Sequence, residues 1–125
     1  VEFAGCGKIA PGSWDREEIG FMALEVEHWN AVIDGELSEA ALRDKLQRRG
    51  YHVTRYHYPP GTVFPDHTHG VDKIDAVLSR RFLMRMAGES VILEAGDCLA
   101  LPRGAVHSAE VVGRDTVVSL DAIRH

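Results

Sequence analysis

The sequence predicts an all-β sandwich or barrel in one domain, on three observations. After Gly50 come short runs rich in Val, Ile, Leu, Tyr and Phe: YHVTRYHY, TVF, DKIDAVLS, RRFLMRM, SVILEA, DCLALP and TVVSL. Each is bounded by Gly, Pro, Asp or Ser, the punctuation of a strand-and-turn chain. No helical pattern alternates with them, which argues against a parallel α/β sheet. Finally, 125 residues are enough for one hydrophobic core and too few for two of comfortable size.

Before these runs, SEAALRDKLQRRG reads as a short helix. Ser38 is its N-cap, Glu39 suits the first turn, Arg48 and Arg49 suit the last, and Gly50 stops it. Ala41, Leu42 and Leu46 form its apolar stripe, which fits a lid or buttress for a sheet. Upstream, Ile19, Met22, Val26, Trp29 and Ile33 recur at helical spacing, with Asp15 and Glu18 placed like a capping box. LEVEHW, Leu24 to Trp29, also alternates as a strand does, and Gly20 weakens the helix, so a strand is expected from about Leu24.

The net charge of −5 argues against a nucleic-acid surface, since phosphate binding draws on an excess of Lys and Arg. No window reaches the roughly 18 apolar residues of a membrane span, and VEFAGCGKIAPG lacks the order of a secretory signal, so a cytoplasmic protein is expected. Cys6 and Cys98 are too few for a disulfide framework and are expected to be free thiols.

The chemistry concentrates in two stretches. PGTVFPDHTHG sets His67 and His69 two residues apart, which on a strand places both imidazoles on one face. GDCLALPRGAVH adds His107: Gly96 and Asp97 turn into a strand, Pro102 ends it, and Gly104 permits a second tight turn. Three convergent imidazoles supply three protein ligands to a divalent metal and leave positions open for water or substrate.

These two stretches resemble the paired motifs of the cupin family. Gly61, His67 and His69 match the first motif, and Gly96, Pro102, Gly104 and His107 match every position of the second. The resemblance implies an all-β cupin jelly-roll β-barrel, here with a short N-terminal helix, and a metal inside the barrel. It spans about Leu24 to the end, so residues 1–21 are expected to be an N-terminal extension and 22–125 a single cupin domain. It also implies a homodimer.

Two positions depart from the pattern: Lys73 stands where the family usually has its ligand glutamate, and Arg80 where it has the closing glycine. An ammonium cannot coordinate a metal. Asp75, two residues on, should share a face with Lys73 and either neutralises it or itself reaches the metal. Lys73 in turn either orients a substrate carboxylate, forms a Schiff base, or is a structural partner of Asp75 or Asp72.

The expected function is a metalloenzyme of dioxygenase or lyase/isomerase type. One Fe, Ni, Zn or Mn ion sits on His67, His69 and His107, and Lys73 and Asp75 act on a small anionic metabolite. The alternatives are a non-catalytic ligand- or metal-sensing cup, and a metal-free isomerase or lyase run by Lys73 and Asp75. Tyr51, Tyr56, Tyr58, Phe64 and Phe82 read as core or barrel wall, and Cys98 as a small hydrophobe near the cavity. His52 and His57 lie on opposite strand faces, and Arg80, Arg81 and Arg85 read as a solvated sheet edge.

Overall fold

The structure, a computed structural model, describes residues 24–125. Cys6, the extension over residues 1–21 and the capping box at Asp15 and Glu18 lie outside the described residues. In chain order the elements are β1 (Val26–Glu27), α1 (Ala31–Asp34), α2 (Glu39–Arg48), β2 (His52–Tyr58), β3 (Val63–His67), β4 (Asp72–Ser79), β5 (Arg81–Met86), β6 (Glu89–Leu93), β7 (Cys98–Leu101), β8 (His107–Val112) and β9 (Val117–Arg124). They form two antiparallel sheets, ordered β1-β7-β4-β9-β2 and β3-β8-β5-β6.

Strand alternation divides the larger sheet into two differently buried faces. Val77, Leu99, Leu101 and Val117 point inward and pack with Phe82, Met84, Leu93 and Val111 of the smaller sheet. Ile74, Ala76, Cys98, Leu120 and Ala122 point outward and are covered by Leu42 and Leu46 of α2. Both leucines are fully buried, each stabilising by about 1.5–3 kcal/mol. The helix is therefore a buttress on the outer face. Its start is as expected, with the Ser38 hydroxyl accepting the Ala41 N–H at 3.0 Å.

Several expectations change. The strand read over Leu24–Trp29 is confined to Val26–Glu27, because Leu24 already has φ 59°, outside the extended region. Strand β8 has no counterpart among the seven runs, although HSAEVV alternates buried and half-buried along its whole length. Strand β5 lies between β8 and β6, so Arg81 and Arg85 do not guard a sheet edge; Arg85 instead pairs with Glu110 of β8 at 2.9 Å. Cys98 faces the outer cluster under α2, away from the barrel interior. Burial pushes its thiol up to about 12, the condition of an inert core cysteine.

Arg80 occupies the tight turn between β4 and β5 with φ 71°, the left-handed region that glycine enters freely. The backbone need for a glycine thus persists at this position, and arginine meets it at a strain of about 1–2 kcal/mol.

Candidate metal centre and its cavity

The three imidazoles come from two neighbouring strands and one loop. His67 ends β3 and His107 begins β8, and the two are cross-strand partners. The β3 register shifts between Phe64 and His67, a bulge that re-aims the strand end. His69 lies just past the strand, so simple alternation does not place it. Its carbonyl accepts the Gly104 N–H at 3.0 Å, and the turn that delivers His107 thereby also fixes His69. Gly104 has φ 79°, a conformation that suits glycine.

Ring centroids are separated by 4.8 Å for His67–His69, 4.3 Å for His67–His107 and 5.0 Å for His69–His107. One ligand nitrogen from each lies within 4.8 Å of the others, close enough for one ion to be held. The Nδ1 atoms of His67 and His107 face the Pro65 and Ala105 carbonyls at 2.7 and 3.0 Å. A carbonyl only accepts, so each Nδ1 carries the proton and each Nε2 is left with a free lone pair. The Nε2 atoms of His69 and His107 are buried without a hydrogen-bond partner. Burial, with Lys73 nearby, lowers the His69 pKa to about 4, and burial also lowers that of His107 despite its bond to Ala105. Both are therefore neutral donors at neutral pH. Three convergent ring nitrogens, two of them buried, neutral and unpartnered, fit a borderline divalent metal.

The histidines open into a cavity of about 390 Å³. Tyr56, Tyr58, Phe64 and Phe82 form one wall, with Tyr58 stacked on Phe82 at 5.3 Å and edge-on to Phe64 at 5.0 Å. Tyr51, grouped with these from sequence, packs instead in the outer cluster, with the Arg124 guanidinium over its ring.

Ala109 and the charged residues Lys73, Asp75 and Asp121 complete the lining. The Lys73 ammonium sits 2.9 Å from Asp121 Oδ2 and 3.3 Å from Asp75 Oδ1. Burial works to lower the Lys73 pKa, but the two carboxylates outweigh it and hold the pKa above its ordinary value, so the side chain is charged. Asp72 is not its partner: it accepts the Arg103 N–H at 3.1 Å and lies 3.8 Å from Arg124. Asp75 is not part of the three-histidine group either.

Asp121, to which the Tyr58 hydroxyl donates at 3.3 and 3.4 Å, was not singled out from sequence. The readable signal is parity. The TVVSL run continues to Arg124, and Val117, Ser119 and Asp121 fall on the same inward face. Asp121 is also the direct cross-strand partner of Asp75.

Residues 54–123 match the family model described as Cupin domain. Among solved structures, the chain is similar to a predicted oxalate decarboxylase from Thermotoga maritima, at 28% identity and TM-score 0.54, over 70% of this chain and 74% of that one. It is similar to KdgF from Halomonas sp. at 24% identity and TM-score 0.54, over 60% of this chain and 70% of that one. It is also similar to the DMSP lyase DddQ from Ruegeria pomeroyi DSS-3, at 22% identity and TM-score 0.55, over 60% of this chain but only 38% of that one. No curated protein matches the chain.

Proposed function

The chain belongs to the cupin domain family, and from that premise we propose that it is a metalloenzyme of lyase, isomerase or dioxygenase type acting on a small anionic molecule. His67, His69 and His107 hold the metal, one of Fe, Ni, Zn or Mn. The observation that carries this reading is the pair of buried Nε2 atoms, on His69 and His107, left unpartnered at the head of a cavity. When bound, the metal supplies a Lewis acid that polarises a substrate oxygen.

The chain's own residues supply binding and proton handling. Three neutral imidazoles cancel none of the metal's charge, so an anionic group is drawn to the metal end of the cavity. Lys73 does not serve as a free anion receptor, because Asp75 and Asp121 already claim its ammonium; we assign it to holding those two carboxylates in place. The aromatic wall takes the apolar part of the substrate and excludes water. Among solved structures similar to this chain, the oxalate decarboxylase-like protein and the DMSP lyase support a small-molecule substrate by their names.

The test is a screen of small carboxylic acids against protein loaded in turn with each of the four metals. Turnover of at least one acid is expected, lost on chelation and regained when that metal is returned. Turnover that survives exhaustive chelation contradicts the metal reading. An acid that binds the loaded protein and is recovered unchanged favours a binding cup.

A further inference from the structure

We propose that Asp75 and Asp121 hold a single proton between them, and that this proton is the acid–base group the cavity offers to its occupant. The argument begins with strand pairing. Asp75 of β4 and Asp121 of β9 are direct cross-strand partners on the inward face of the sheet. Like charges directly opposite one another destabilise a sheet. One carboxylate is enough to neutralise Lys73, yet two are present. With both ionised, the cluster carries one uncompensated negative charge in a place where Asp75, Lys73 and Asp121 side chains are only 6%, 13% and 15% exposed. A single bound proton makes the cluster neutral and removes that cost.

The groups facing the pair are consistent with it. From β4 comes Lys73, from β2 the Tyr58 hydroxyl, and from across the cavity the three histidines. Burial and Asp121 push the Tyr58 pKa above the usual phenol range, so Tyr58 remains a donor and does not itself exchange the proton. The buried Asp75 Oδ1 meets the Lys73 ammonium at 3.3 Å as an ion-pair contact without a well-formed hydrogen bond, so its desolvation is only partly offset. Burial, then the charge of Asp75, raise Asp121 to about 6 against the opposing pull of Lys73 and Tyr58. Asp121 is the more exposed of the two acids, and so the one that meets the occupant.

The transfer balances simply. The protonated pair gives its proton to a basic atom of the occupant and becomes two carboxylates held by Lys73 and the Tyr58 O–H; the reverse step takes one proton back. This use of the proton rests on the cavity being a reaction site, while the proton itself does not depend on metal.

The experiment is therefore carbon-13 NMR of aspartate carboxyls in the metal-free protein, titrated across the neutral range. One carboxyl is expected to titrate with a midpoint near pH 6, and its signal should be absent from Asp121→Asn. In Asp75→Asn the Asp121 midpoint should fall toward the ordinary carboxylate range, a shift that a purely structural Asp75 would not cause. The proposal is overturned if every buried carboxyl in wild type finishes titrating below about pH 5, or if the Asp121 midpoint is unmoved in Asp75→Asn. Should Asp75→Asn fail to fold, the wild-type titration alone decides. Metal-dependent turnover together with carboxyls that all finish titrating below about pH 5 would overturn the shared proton and leave the metal reading standing.

Discussion

Lys73→Met is expected to lose about 3–5 kcal/mol of unfolding free energy at pH 7, the range for breaking a buried ion pair from one side. The ammonium sits between Asp75 and Asp121 with its side chain 13% exposed, and methionine leaves both carboxyls without a cation. The pH dependence follows from the shifts. The folded pKa of Lys73 lies above 10.5, so its contribution is whole at neutral pH and is lost only as pH rises through that raised value. Asp121 behaves in the opposite sense. Its folded value of about 6 exceeds the ordinary 3.8, so between these values the folded state binds more protons, and stability falls as pH rises through that window. Removing Lys73 raises Asp121 further, and the loss in Lys73→Met should be smaller at pH 5 than at pH 7. Urea unfolding at both values checks this, with the double variant Lys73→Met/Asp121→Asn recovering part of the loss. A Lys73→Met protein within about 1 kcal/mol of wild type at pH 7, the scale of an exposed pair, contradicts the buried arrangement.

Gly96→Ala is the second large effect, and it acts from outside the cavity. Gly96 has φ +89°, and a Cβ there lies 2.7 Å from Trp29 Cβ and 3.4 Å from Leu37 Cδ2. Trp29 Cβ is close to its own backbone and cannot swing aside as the end of a flexible side chain does. The turn is also bound to β4, with Gly96 N–H donating to the Val77 carbonyl at 2.8 Å and Val77 N–H to the Asp97 carbonyl at 2.9 Å. Backbone strain of about 1–3 kcal/mol and overpacking of about 1–3 kcal/mol both apply, for an expected total of about 2–6 kcal/mol. Gly104→Ala is the control: its φ is +79°, but nothing lies within 4 Å of the added Cβ, so only the strain is expected. Chemical denaturation of the two variants side by side should separate them, and equal losses would show that the contact with Trp29 is not what requires a glycine at position 96.

The parts of this fold legible in the sequence are those fixed by local chemistry. DKIDAVLS and β4 coincide because each end has its own boundary residue, and the Ser38 cap and Gly50 stop delimit α2 in the same way. The three histidines were legible because glycine and proline at fixed intervals constrain the backbone that carries them. Asp121 was not, since its meaning depends on which strand lies beside β9, and register with Asp75 is a long-range fact. Lys73 shows the same division. Its pairing with Asp75 follows from strand parity, while its shorter contact with Asp121 required the neighbouring strand. Strand β8 alternates, but it starts on His107 directly after the Gly104 turn, so its first residue reads as the end of a turn as readily as the start of a strand.

If His67, His69 and His107 form one metal site, the purified protein must carry a metal that depends on them. Elemental mass spectrometry of tag-free wild type, supplied with Fe, Ni, Zn or Mn, is expected to find about one ion per chain, with His69→Ala and His107→Ala both folded and depleted. Wild type that stays empty in the presence of each metal, or histidine variants that retain the ion at the wild-type level, would contradict it.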